Sequence, residues 1–232
     1  MKEPWIEPLD LFDSNPRSNV ITVYHGSESV IKQPEFGKGK PYNDYGPGFY
    51  TTKNKGLAGE WAVLGTGRDG YINEYTLDMT GLKVLQLDKL PIENWIAILI
   101  ANRRGTYKEE IVVSRIERFK DMFFPDVSSF DVIVGWRADD AYFSFVEDFM
   151  LSAITIENLQ KAMKFGDLGQ QVCCVSSMAF ERLQFQNSYK AHVSRFYNGA
   201  VNRDETARKE YFRLARSKDA SKGRLIFDII GR

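Results

Sequence analysis

The sequence predicts an α+β fold, a β-sheet core interrupted by helical stretches and followed by a helical C-terminal extension. Short β-branched or apolar runs recur at Val20 to Tyr24, Tyr71 to Met79, Phe130 to Gly135 and Gln171 to Val175, as buried strands require. Between and after them, apolar residues fall at helical spacing over roughly 91–165 and 189–216. Apolar residues make up 43% of the 232-residue chain, with sixteen Phe and eleven Tyr, which is ample for a buried core. No internal repeat or low-complexity linker divides it, so 1–232 reads as a single domain.

Residues 1–18 are polar and Pro-rich apart from Trp5, Ile6, Leu9, Leu11 and Phe12, and are expected to lie as an arm over the domain. Strand Val20 to Tyr24 delivers His25 to its C-terminal end. A loop of about twenty residues follows, long enough to suggest a functional role, before a second strand at Gly48. Asn54 to Leu64 reads as a helix ending at Gly65. Gly65-Thr66-Gly67-Arg68-Asp69-Gly70 matches the spacing of a dinucleotide fingerprint, but it follows a helix and precedes a strand, the reverse of what that fingerprint needs, and is read as a turn. Strands Tyr71 to Met79 and Lys83 to Leu87 come next. Helices are expected over 91–102, 108–123, 141–151 and 156–165, with the buried strand Phe130 to Gly135 between the two pairs. Together these make 91–165 a largely helical insertion. Strand Gln171 to Val175, a short helix from Ser177, a strand near Gln184, a basic helix from Tyr189 to Arg216 and an apolar run at Leu225 to Ile230 complete the chain, 189–232 forming the helical extension.

Lys plus Arg balances Asp plus Glu at 31 each, so no global field steers the protein to nucleic acid or to an anionic membrane. The longest apolar run, Trp95 to Ala101, is far short of the roughly twenty residues a membrane span needs. Acidic residues at Glu3, Glu7 and Asp10 are unlike a signal peptide. Adjacent Cys173 and Cys174 in a strand point to opposite faces, so no disulfide joins them, and a reducing, cytoplasmic setting is expected. Those cysteines and two histidines, His25 and His192, provide no zinc-ligand spacing and no evident thiol nucleophile.

Tyr24-His25-Gly26-Ser27 at a strand end, followed by Gly48-Phe49-Tyr50-Thr51-Thr52 opening a strand that runs into a helix, resembles the NAD-binding half of the ADP-ribosyltransferase superfamily. The likeness is to the branch whose signature is His, Tyr and then Glu or Gln. More narrowly the chain resembles a bacterial domain-of-unknown-function family in that superfamily, through these motifs and Trp61-Ala62, Asp131 to Gly135, Ala138-Asp139-Asp140 and Gln171-Val172. The resemblance implies a split β-sheet core, NAD as substrate and transfer of ADP-ribose to a macromolecular acceptor, in a toxin or defence effector; whether an antitoxin or other regulatory partner controls it is left open by the sequence. An NAD glycohydrolase, or a non-catalytic module binding NAD, ADP-ribose or a protein, are the alternatives.

Carried residue by residue, the resemblance makes His25 an orienting donor to the adenosine ribose. Gly26 lets the backbone approach the nicotinamide carboxamide, and Ser27 adds a hydroxyl. Tyr50 stacks on the nicotinamide. Trp61, eleven residues on, is either a second clamp or a core residue of its helix. The third signature position falls on Gln171, whose amide oxygen accepts a hydrogen bond but cannot act as a base. If a carboxylate is needed, Asp139 and Asp140 at the end of a buried strand are the candidates, unless they cap the following helix. Arg103 and Arg104 are placed to reach a phosphate, although basic residues suit a helix C-terminus in any case.

Overall fold

A computed structural model describes residues 19–103, 105, 107, 109–138, 140–165 and 169–231. The expected arm over 1–18, together with Arg104 and Asp139, lies outside the described residues. Strand β1 (Val20–Ser27) pairs antiparallel with β3 (Gly70–Asp78), and β3 pairs antiparallel with β7 (Leu183–Ala191), in a three-stranded sheet. The second sheet runs β2 (Phe49–Thr51), β6 (Gln170–Cys174), β5 (Val132–Trp136) and β4 (Val84–Gln86), with only β4 and β5 parallel. The sheets are joined where Tyr24 and Thr52 exchange backbone hydrogen bonds of 2.8 and 2.9 Å. This bridge brings the C-terminal part of β1, with His25, beside β2, with Tyr50.

Side-chain alternation sorts the core into layers. Ile21 and Val23 of β1 pack with Tyr75, Leu77, Val132, Val134, Val172 and Cys174 between the two sheets. Ile133 and Cys173 face the opposite side, against helices. Those helices are α2 (Ile92–Asn102), α3 (Glu110–Phe123), α4 (Asp140–Met150) and α5 (Ile156–Ala162). Helix α1 (Lys55–Leu64) covers the outer face of the three-stranded sheet through Ala58, Ala62 and Val63. Its start is fixed by Asn54, whose Oδ1 accepts from Gly56 N at 2.8 Å and Leu57 N at 3.2 Å. Short α6 (Ser177–Glu181) precedes β7, and long α7 (Val193–Ala215) and α8 (Ile226–Ile230) close the chain.

The α+β expectation is met, with two refinements. The segment 91–165 is two helical excursions rather than one insertion, because β5 lies in mid-sheet between β6 and β4. The C-terminal helix begins at Val193: Tyr189 and Ala191 belong to β7, where they pair with Ile72 and Gly70. The glycine-rich segment from Gly65 is the turn into β3. Both cysteines are buried and free. Among the described residues no helix is long and apolar enough to cross a membrane.

Candidate active site

The alternation that buries Ile21 and Val23 places His25 on the same face of β1, its ring 4.4 Å from that of Phe49. His25 Nδ1 lies 2.7 Å from the carbonyl oxygen of Tyr50. A carbonyl only accepts, so Nδ1 carries the proton. Burial holds the imidazole below the usual histidine range, although the bond to Tyr50 pulls the other way. The neutral ring therefore has Nε2 as an acceptor and no second N–H to donate, unlike the donor role expected of it.

Gly26 points the other way, into α1, where an added Cβ would lie 1.9 Å from the Ala58 carbonyl oxygen. Its missing side chain lets helix and strand approach, a packing reason independent of any ligand. The Ser27 hydroxyl is committed within the loop, donating to Ser29 O at 2.7 Å and accepting from Asn73 Nδ2 at 2.9 Å. Buried Asn73 also accepts from Ile31 N at 3.0 Å, and the Tyr75 hydroxyl donates to Ile31 O, so the first part of the long loop is pinned to β3.

The end of that loop is pinned elsewhere. Tyr50 donates to Gly46 O at 2.7 Å and accepts from Tyr45 N at 2.8 Å, closing a five-residue turn on its own hydroxyl. Gly46 sits at φ 78°, a left-handed conformation that favours glycine. Tyr45 donates to Trp136 O at 2.5 Å. Asp44 accepts through Oδ2 from Ala138 N at 2.9 Å and from Gln171 Nε2 at 2.8 Å, with Arg103 Nη1 3.6 Å from its Oδ1. Burial holds the Asp44 carboxyl above its ordinary value, against the downward pull of Arg103, the Ala138 N–H, Gln171 and Arg137.

These groups line two adjoining cavities. One, of 700 Å³, is walled by His25, Gly26, Ser27, Phe49 and the long loop. The other, of 620 Å³, is walled by Asp44, Arg137, Gln171 and residues of α1 and α7. Asn43, Tyr50, Trp61 and Gly65 line both, so the cavities meet across the Tyr50 and Trp61 rings. Each is within the range of small-molecule sites. Trp61 is thus a wall residue rather than core, and its indole N–H is buried with no partner among the described residues.

More than half of the chain, residues 21–185, matches the model of a family described as a protein of unknown function, DUF3990. The chain belongs to the DUF3990 family. No curated protein and no solved structure matches it. The DUF3990 match spans both sheets and stops inside β7, so α7 lies outside it. Yet α7 walls the second cavity through Ala200, Val201, Arg203, Asp204 and Arg208.

Carboxylates and cations in the DUF3990 site are distributed differently from expectation. Asp140 opens α4 with its side chain 93% exposed and pairs with Arg103 at 2.9 Å; the acid bonded to Gln171 is Asp44. Arg103 is held by Asp44, Asp140 and the Ala138 carbonyl. Arg203 pairs with Glu60 and Arg208 with Asp204. Among the described residues no carboxylate pairs with Arg137, whose guanidinium lies 5.3 Å from the centre of the Trp61 ring. In the sequence Asp44 is marked only by its place beside the Tyr45-Gly46-Pro47-Gly48 turn. Burial pushes both cysteine thiols up, Cys174 to about 12, so neither supplies a thiolate. No cluster suited to a metal ion occurs among the described residues.

Proposed function

We propose that this protein is an NAD-dependent ADP-ribosyltransferase that cleaves the nicotinamide–ribose bond and passes ADP-ribose to a macromolecular acceptor. The observation carrying this reading is that His25, Tyr50, Trp61 and Gln171 line two cavities that share Tyr50 and Trp61 as walls. Two sheets joined beside His25 and Tyr50 fit the split core of that superfamily.

In this reading His25 Nε2 accepts from a hydroxyl of the adenosine ribose. The Tyr50 ring, fixed by its two hydroxyl bonds, and the Trp61 ring flank the nicotinamide, a cation on an aromatic face being favourable by about 0.5–2 kcal/mol. Arg137 is the cation for the diphosphate, since a guanidinium fork suits phosphate oxygens. Gln171 accepts from the 2-hydroxyl of the reacting ribose, a bond that strengthens as positive charge develops on the sugar. With both thiols protonated, the chain offers no covalent cysteine route, and positioning with electrostatics does the chemistry.

The test is NAD labelled in its adenosine half, incubated with the protein and a cell extract. Label on a macromolecule is the expected result. Label released only as free ADP-ribose would make the protein a glycohydrolase, and label remaining wholly in NAD would contradict the proposal.

A further inference from the structure

Gln171 leaves the proposed site one charge short, because an amide cannot stabilise a cationic sugar as a carboxylate does. We propose that Asp44 and Gln171 act as one carboxylate–amide unit, Asp44 supplying the negative charge and turning the Gln171 amide oxygen toward the reacting sugar. This rests on the NAD reading above.

Two acceptors near the Gln171 amide nitrogen, Asp44 Oδ2 at 2.8 Å and Trp136 O at 3.4 Å, are placed to take its hydrogens. An amide whose NH2 is held in this way has its Oε1 directed away from them, and Gln171 is on the cavity wall. The pair is well enclosed, with Asp44 7% and Gln171 3% exposed, so the charge acts through little water. Asp44 is itself anchored by the Ala138 N–H and Arg103, and lines the same cavity.

The contact also explains the identity of residue 171. A glutamate there would place two carboxylates about 2.8 Å apart, and like charges at that separation cannot both ionise, so one pKa must rise strongly. With the acid at 44, position 171 needs a donor on one side and an acceptor on the other, which is what an amide is. Asp44 is a positioning residue and a fixed charge. It takes no proton in the step.

The experiment transposes the charge: Asp44→Asn, Gln171→Glu and the double variant, read by nicotinamide release from NAD and by thermal unfolding from pH 5 to 8. Each single variant should lose at least about tenfold in release, and the double variant should return to within about threefold of wild type. In unfolding, the glutamate of the single Gln171→Glu variant has a folded-state pKa above its unfolded value. Its stability should therefore fall as pH rises, lowering Tm by about 2–8 °C relative to pH 5, and the double variant should lose that slope. A purely structural Asp44 would give a release loss that follows Tm, with no rescue. Equal losses in the double variant and the worse single, at matched Tm, would overturn the proposal. If wild type releases no nicotinamide, the NAD reading fails and the catalytic half falls with it. The unfolding cycle then decides the pairing by itself, additive Tm changes overturning it.

Discussion

At the scale of the residue, most of the site rests on side chains whose second partner fixes their role. Tyr50 is the clearest case, since its hydroxyl folds the turn at 45–46 while its ring lines both cavities. Tyr50→Phe keeps the ring and leaves the Tyr45 N–H without its acceptor, so it should cost about 1–3 kcal/mol in denaturant unfolding while retaining measurable NAD affinity; Tyr50→Ala should lose both. An affinity for NAD as high in Tyr50→Ala as in wild type would remove the ring from the site. Gly26 gives a sharper stability test. Gly26→Ala drives a methyl into the Ala58 carbonyl and should lower stability by about 1–3 kcal/mol or more, whether or not NAD binds. His25, Tyr50 and Gln171 could be picked out of the sequence through the motifs that carry the family resemblance, and all three line the two cavities. Asp44 could not be picked out, because its bond to Gln171 spans 127 residues and forms only when the loop folds back.

At the scale of the element, periodicity located the strands and helices, and pairing set their limits. β7 runs through Tyr189 and Ala191 because β3 offers them partners, which the basic composition of the following segment conceals. Helix α7 shows how an element outside the family match becomes part of the site. Its Phe196 rests on Gly59 of α1, and its Arg203 reaches Glu60 at 2.8 Å. Glu60 is nearly buried, so Arg203→Ala strands its charge and should destabilise by about 3 kcal/mol, with Glu60→Gln in the same background recovering a large part of it. Thermal unfolding of the single and double variants checks this. No recovery would mean that the pair is not what joins α7 to α1. The basic residues of α7 divide accordingly: Arg213 is exposed, whereas Arg203 is half-buried against Glu60.

At the scale of the whole molecule, one half-buried histidine should couple the site to global stability. His25 has a folded-state pKa below its unfolded value near 6.5, so protonation favours the unfolded chain. Its contribution is complete above pH 6.5 and declines as pH falls below it, by at most about 1.4 kcal/mol per pH unit. Unfolding from pH 7 to 5.5 should show that slope, and His25→Gln should flatten it; an unchanged slope would mean that the imidazole is not held neutral. The folded ring itself takes a proton only below that window, so NAD affinity should hold through it and fall at lower pH, where the Nε2 acceptor is lost. The mixed α and β class was readable because strands and helices carry different periods, whereas the meeting of the two sheets at Tyr24 and Thr52 is a tertiary event that no local pattern encodes.

Release of free nicotinamide from NAD by the purified protein, measured beside His25→Ala, tests the central claim most directly. The account predicts release by the wild type and at least a hundredfold less from a folded His25→Ala variant. No release by the wild type, or equal release by the two, would contradict it.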